Sequence, residues 1–153
     1  MKIFVEKDNL VDGAIAKLLN SHLQEMYRHS PAESVHALDP KALQDSTITF
    51  WSARINGTLA GCGALKEIAQ FQGELKSMKT SQSFLRIGVA KAVLEEILKE
   101  ARLRSYKEVK LETGSGAAFA PAVALYQRYG FEPCAPFANY KRDPHSLFFC
   151  KKL

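Results

Sequence analysis

The dipeptide Asn56-Gly57 constrains this chain more than any other pair of residues in it. Before it runs Thr47-Ile48-Thr49-Phe50-Trp51-Ser52-Ala53-Arg54-Ile55, which is β-branched and aromatic, and after it runs Thr58 to Lys66. Asn-Gly between two such runs closes a two-residue hairpin whose left-handed turn matches the twist of its strands. Residues 47–66 are therefore expected as an antiparallel pair. Gly61 and Gly63 in the return strand permit another element to approach its backbone closely.

Helical periodicity flanks the hairpin on both sides. Leu10, Val11, Ala14, Ile15, Leu18, Leu19, His22, Leu23 and Met26 step by three and four, with Asp8 or Asn9 placed to cap the start. Val89, Ala90, Val93, Leu94, Ile97, Leu98 and Ala101 form a second stripe within 88–104. Asp39-Pro40 opens a short helix with Pro at its first position. Pro121 to Tyr129 reads as a helix that Gly130 ends in the left-handed conformation. Further strands are predicted at residues 2–6, 74–79, 109–113, 131–137 and 146–152. The order β-α-α-β-β-β-α-β-α-β-β is an α/β arrangement, an α+β mixed sheet with helices on its faces. The 153 residues suit one domain, 1–153.

Composition narrows the function classes. The chain holds 21 Lys and Arg against 16 Asp and Glu, a net charge of +5. Lys76 to Lys110 contains nine basic residues and four acidic ones, so the whole excess lies there. A nucleic-acid-binding module would interleave its basic residues with aromatics; the helix at 88–104 interleaves Glu95, Glu96 and Glu100 instead. No apolar run approaches a membrane span, and charges at Lys2, Glu6, Lys7 and Asp8 interrupt any signal-peptide core. Cys62, Cys134 and Cys150 are odd in number and form no C-x-x-C pair, the usage of reduced thiols in a cytoplasmic protein. No His or Cys stands at metal-ligand spacing, so no metal is expected.

The strand–loop–helix at 74–104 carries the chemical signal. Ser81, Ser83 and Arg86 precede Gly88-Val89-Ala90 at the helix start. Free N–H groups and the helix dipole attract phosphate there, and small residues let an anion reach the backbone. Arg86 and Lys91 add positive charge on either side.

These residues resemble the GCN5-related N-acetyltransferase (GNAT) family, in a bacterial small-molecule type, and the likeness covers nearly the whole chain. Leu85-Arg86-Ile87-Gly88-Val89-Ala90 is similar to the family's Gln/Arg-x-x-Gly-x-Gly/Ala signature, departing from it at Leu85. Ala122-Val123-Ala124-Leu125-Tyr126-Gln127-Arg128-Tyr129-Gly130-Phe131 fills the second signature without a gap, although Phe119 stands where many members carry Asn. The resemblance implies the GNAT fold, with a mostly antiparallel central sheet, and acetyl-CoA as cofactor. It places Met78 and Thr80 along the pantetheine arm and thioester. It places the pyrophosphate at Arg86, Ile87, Gly88, Val89, Ala90 and Lys91. It makes Tyr126 the proton donor to the leaving sulfur.

Glu74 is the first candidate for general base, with His36 and Glu112 as rivals. Period two would put Glu74, Lys76 and Met78 on one face of their strand. Ser34 and His36, with His29 and Asp39 nearby, lie where the family builds its acceptor pocket, and the loop Phe137 to Tyr140 closes the same cleft. The expected activity is acetyl transfer to the amine of a small molecule or an amino-acid-like acceptor, with no nucleic-acid or membrane partner. A homodimer is compatible with the resemblance. Two other readings stay open at this point: a CoA-binding sensor without turnover, and a basic nucleic-acid module.

Overall fold

The computed structural model describes residues 2–11, 13–35 and 44–153. Its strands are β1 (Phe4–Lys7), β2 (Ile48–Ile55), β3 (Thr58–Ala69), β4 (Gln72–Thr80), β5 (Glu108–Gly114), β6 (Glu132–Pro133) and β7 (Ser146–Lys152). Its α-helices are α1 (Gly13–His29), α2 (Val89–Leu103) and α3 (Ala120–Arg128). The helix expected at Asp39-Pro40 and the candidate residue His36 lie outside the described residues.

The strands form one seven-stranded sheet in the order β1-β2-β3-β4-β5-β7-β6. Every neighbouring pair is antiparallel except β4 with β5. The expected hairpin is present. Asn56 and Gly57 take φ of 49° and 79°, and Ile55 faces Thr58 in register.

The two faces of the sheet carry different helices. On one, Trp51, Ala53, Ile55, Leu65 and Leu75 pack against Val89, Val93, Leu94, Ile97, Leu98 and Ala101 of α2. Burying a side chain of this size contributes about 1.5–3 kcal/mol, so this layer dominates the core. On the other, Ile15 and Leu19 of α1 cover Phe50, Cys62 and Ala64. A Cβ on Gly61 would lie 2.6 Å from Val89 Cγ1, and one on Gly63 would lie 2.6 Å from Met78 Sδ and 2.7 Å from Val93 Cγ1. The missing side chains are what let α2 lie on β3.

Two expectations are corrected in detail. The first helix begins at Gly13 rather than Leu10, because Asp8 Oδ1 takes the Leu10 N–H at 2.8 Å in a turn with Leu10 at φ 64°. The strand expected over 131–137 shrinks to Glu132–Pro133. Pro133 and Pro136 have no N–H for a ladder, which confines this stretch to the sheet edge.

The site is set by how β4 ends. It pairs with β5 only from Gln72↔Glu108 to Leu75↔Leu111. Beyond that β4 stays with β3 as far as Thr80↔Gly61, while β5 stays with β7 as far as Gly114↔Ser146. The two strands part in the middle of the sheet.

Candidate active site

A cavity of about 110 Å³ fills the parting of β4 and β5, walled by Glu74, Lys76 and Met78 on one strand and Leu111, Glu112 and Thr113 on the other. Tyr126, Phe119, His22 and Met26 complete it from the helices.

Tyr126 is positioned by the way α3 ends. The Phe131 N–H donates to the Tyr126 carbonyl at 3.0 Å, and the Gly130 N–H donates to Gln127 at 3.0 Å, with Gly130 at φ 90°. This is a glycine-dependent helix stop, and its usual apolar contact is here an aromatic one. The Phe131 ring meets the Tyr126 ring edge-on, centroids 5.8 Å apart. The Leu-Tyr-x-x-x-Gly-Phe pattern thus fixes one tyrosine at the cavity wall. Tyr126 is only 6% exposed. Burial pushes its phenol well above the ordinary value, so it keeps its proton at neutral pH. Its hydroxyl has no protein hydrogen-bond partner among the described residues. A buried donor without a partner is costly, and it is the arrangement expected of a group kept for a ligand.

Glu74 is 3% exposed on β4. Both of its contacts fall on one oxygen. Tyr140 donates its hydroxyl to Oε2 at 2.5 Å, and Lys76 Nζ approaches the same Oε2 at 3.2 Å while donating to Tyr140 Oη at 2.8 Å. Oε1 accepts no hydrogen bond among the described residues. Tyr140 is held by ring contacts to Phe137 (5.1 Å) and Phe148 (5.7 Å) on the β7 side. Burial and the Glu74 carboxylate together push its phenol upward. A second, larger cavity of about 510 Å³ is lined by Glu74, Lys76 and Tyr140, and it shares Glu74 and Lys76 with the first.

Met78 is not on the face that period two assigns it. Lys76 pairs with Ala64 but Lys79 pairs with Cys62, so three residues of β4 span two of β3. Ser77 is the bulge, at φ 56°. The extra residue reverses the alternation. Met78 therefore turns with Leu75 toward α2, while Lys79 joins Glu74 and Lys76 on the α1 face and pairs with Glu25. Thr80, opposite Gly61, ends the strand.

The loop into α2 is open, with two of its residues in the left-handed region. Arg86 and Gly88 take φ of 63° and 96°, and nothing lies within 4 Å of where a Gly88 Cβ would stand. Arg86, Ile87, Gly88 and Lys91 are exposed; Ala90 is half-buried. The Val89 side chain packs into the core, leaving only its N–H at the loop. No side chain caps α2 and no acidic residue sits in its first turn, so its N–H groups and dipole are uncompensated. The free first turn, the glycine cradle and the unpartnered Tyr126 hydroxyl fit a long ligand with an anionic end and a reactive end, as coenzyme A is.

Other expected residues are engaged differently. Ser34 is buried and donates to Asp143 Oδ2, tying the turn at 32–34 to the loop before β7. Glu112 receives the Ser146 hydroxyl at 2.7 Å. Phe119 covers Gly114, where a Cβ would fall 2.1 Å from its ring, and meets His29 edge-on at 6.2 Å.

The sequence assigns no site role to His22 or Lys79, and it places Tyr140 only in the loop that closes the cleft. The signal for His22 was present: a polar residue inside an apolar helical stripe. Burial beside Lys79 lowers its pKa from 6.5 to about 4.

Known proteins place the same architecture in context. The profile of the Acetyltransferase (GNAT) family matches residues 14–131. The chain is 51% identical over 149 residues to YsnE of Bacillus subtilis strain 168, an uncharacterized N-acetyltransferase, covering 97% of this chain and 99% of that one. A putative acyl-CoA N-acyltransferase from Klebsiella pneumoniae shares the fold with a TM-score of 0.79, at 25% identity and with 99% of this chain and 97% of that one covered. The PaiA N-acetyltransferase of Thermoplasma acidophilum, solved in complex with coenzyme A, superposes with a TM-score of 0.76 at 18% identity over the full length of both chains.

Proposed function

The chain belongs to the acetyltransferase (GNAT) family, and from that premise we propose that it transfers the acetyl group of acetyl-CoA to the amine of a small molecule. The observation that carries this reading is the pair of buried groups at the parting of β4 and β5. Among the described residues, Tyr126 offers a protonated hydroxyl with no partner, and Glu74 offers a carboxylate oxygen with none.

Acetyl-CoA, when bound, supplies an activated acyl group on sulfur. The chain's own residues do the rest. The first-turn N–H groups of α2, with Arg86 and Lys91, hold the pyrophosphate end. Met78, which has no β3 partner in register, supplies its N–H to the acetyl carbonyl, a type of contact worth about 3–4 kcal/mol on a barrier. Tyr126 holds its proton at Oη for the departing sulfur. Glu74 Oε1 takes the proton of the incoming amine, while Lys76 and Tyr140 hold the carboxylate in place through Oε2. A positioned acid or base of this kind contributes about 10²–10⁴ in rate.

Two variants test the assignment in a thiol-release assay. Tyr126→Phe and Glu74→Gln are each expected to lower turnover by about 10²-fold or more. Acetyl-CoA should still raise the melting temperature of both variants as it does the wild type. Unchanged turnover in Tyr126→Phe removes the acid role, and no melting shift with millimolar acetyl-CoA in the wild type removes the cofactor.

A further inference from the structure

We infer that the larger cavity beside Glu74 selects an amine that also carries a carboxylate, an amino acid rather than a simple amine. This rests on the transferase reading, since it names the acceptor of that site. The cavity, about 510 Å³, is of the size that holds small ligands. Its charged lining among the described residues is four cations, Lys66, Lys76, Lys141 and Arg142, and three acids, Glu33, Glu74 and Asp143.

The acids are mostly spoken for. Asp143 takes the Ser34 hydroxyl on Oδ2 and the His145 N–H on Oδ1 at 2.8 Å. Glu74 Oε2 takes Tyr140 and Lys76. Three of the cations are not. Lys66, Lys141 and Arg142 make no ion pair within 4 Å among the described residues, and Lys66 has only a longer-range attraction to Asp45. Lys66 stands directly opposite Glu74 in the β3–β4 register, on the same face. It makes no ion pair with Glu74, whose Oε2 is taken by Lys76 and Tyr140. A free cation one strand away from an open carboxylate oxygen matches a ligand whose anionic group and amine are a few bonds apart. The amine belongs at Glu74 Oε1, next to the thioester cavity, and the carboxylate at Lys66 with Arg142. One net positive charge on the wall suits a monoanion, and Glu33 and Asp143 oppose a dianion such as a phosphate ester.

The test compares alanine, methionine and phenylalanine with their primary amides, by initial rates of thiol release from acetyl-CoA. The amides have the less basic amine, which favours them chemically, so a preference for the acid reports recognition. The expected result is about tenfold higher kcat/KM for the acids, the low end for a charge-assisted contact. Lys66→Gln and Arg142→Gln should each reduce the acid-to-amide ratio, through KM for the acid. Equal or better use of the amides, or a ratio unchanged in both variants, overturns the inference and leaves the transferase reading standing. Should no amine be acetylated, the transferase reading fails instead. Carboxylate recognition is then read by calorimetric titration of the CoA-loaded protein with N-acetylalanine against N-acetylalaninamide. Tighter binding of the acid supports the inference, and equal binding overturns it.

Discussion

Lowering the pH should destabilise this protein through one side chain, His22. The ring lines the cavity between β4 and β5 and is partly buried beside the Lys79–Glu25 pair. Loss of hydration first, and Lys79 second, hold its folded pKa at about 4 against an ordinary 6.5. The folded state therefore prefers the neutral ring. Above pH 6.5 the ring is neutral in both states and the preference costs nothing. Between 6.5 and about 4 the unfolded chain takes a proton that the folded chain refuses, so stability falls as pH falls through that window. The complete displacement corresponds to about 3 kcal/mol, and by pH 5 about 2 kcal/mol of it has been lost. For a chain of this length that is a fall in Tm of about 4–8 °C. Glu25 complicates the absolute curve, since the contact with Lys79 lowers its pKa, but it is retained in a His22→Gln variant. Urea unfolding of wild type and His22→Gln at pH 8, 6.5 and 5 isolates the histidine as the difference of the two pH dependences. The wild type should lose about 2 kcal/mol more than the variant between pH 8 and 5. Parallel curves refute the reasoning, as does an NMR titration of the His22 ring with a midpoint at 6 or above.

Gly88→Val should cost about 1–2 kcal/mol through backbone strain at φ 96° and raise KM for acetyl-CoA, checked by urea melts and initial rates. The open space around that position makes strain, not a clash, the cause, so an unchanged stability would count against it. Gly114→Ala should cost about 1–3 kcal/mol, because its Cβ would fall 2.1 Å from the Phe119 ring and displace a wall of the small cavity. Cys62, buried and pushed up to about 12, should resist alkylation at pH 8 in the native protein while the more accessible Cys134 reacts; mass spectrometry of timed samples reads the order.

The elements that local chemistry dictates were readable in the chain. Asn56-Gly57 admits one turn, the stripe from Val89 to Ala101 admits one helix face, and Gly130-Phe131 admits one kind of helix stop. The loop into α2 was readable for the same reason, since its signal is a glycine and its neighbours in sequence. What escaped was set by register. The bulge at Ser77 escaped because period two was carried through Glu74, Lys76 and Met78, although Leu75 and Met78 stand three residues apart with two polar residues between them. One inserted residue sends Met78 to the α2 face and Lys79 to the α1 face. Tyr140 could be placed near the cleft but not on Glu74, because 66 residues separate them and only the aromatic contacts with Phe137 and Phe148 bring the hydroxyl there.

The bulge and the parting of β4 from β5 explain each other and the site. A flat, fully paired sheet would bury Glu74 against β5 with no space beside it. Because β5 leaves after Leu111, the next residues of β4 have an open flank. Because Ser77 reverses the alternation there, that flank presents side chains to both layers: Met78 with the α2 core, Glu74 and Lys76 toward the other face. Glu74 and Lys76, both on the α1 face of β4, line both cavities. The Glu74 carboxylate is held through one oxygen and left open at the other. On the proposed reading, Glu74 is where a choice of acceptor is coupled to transfer.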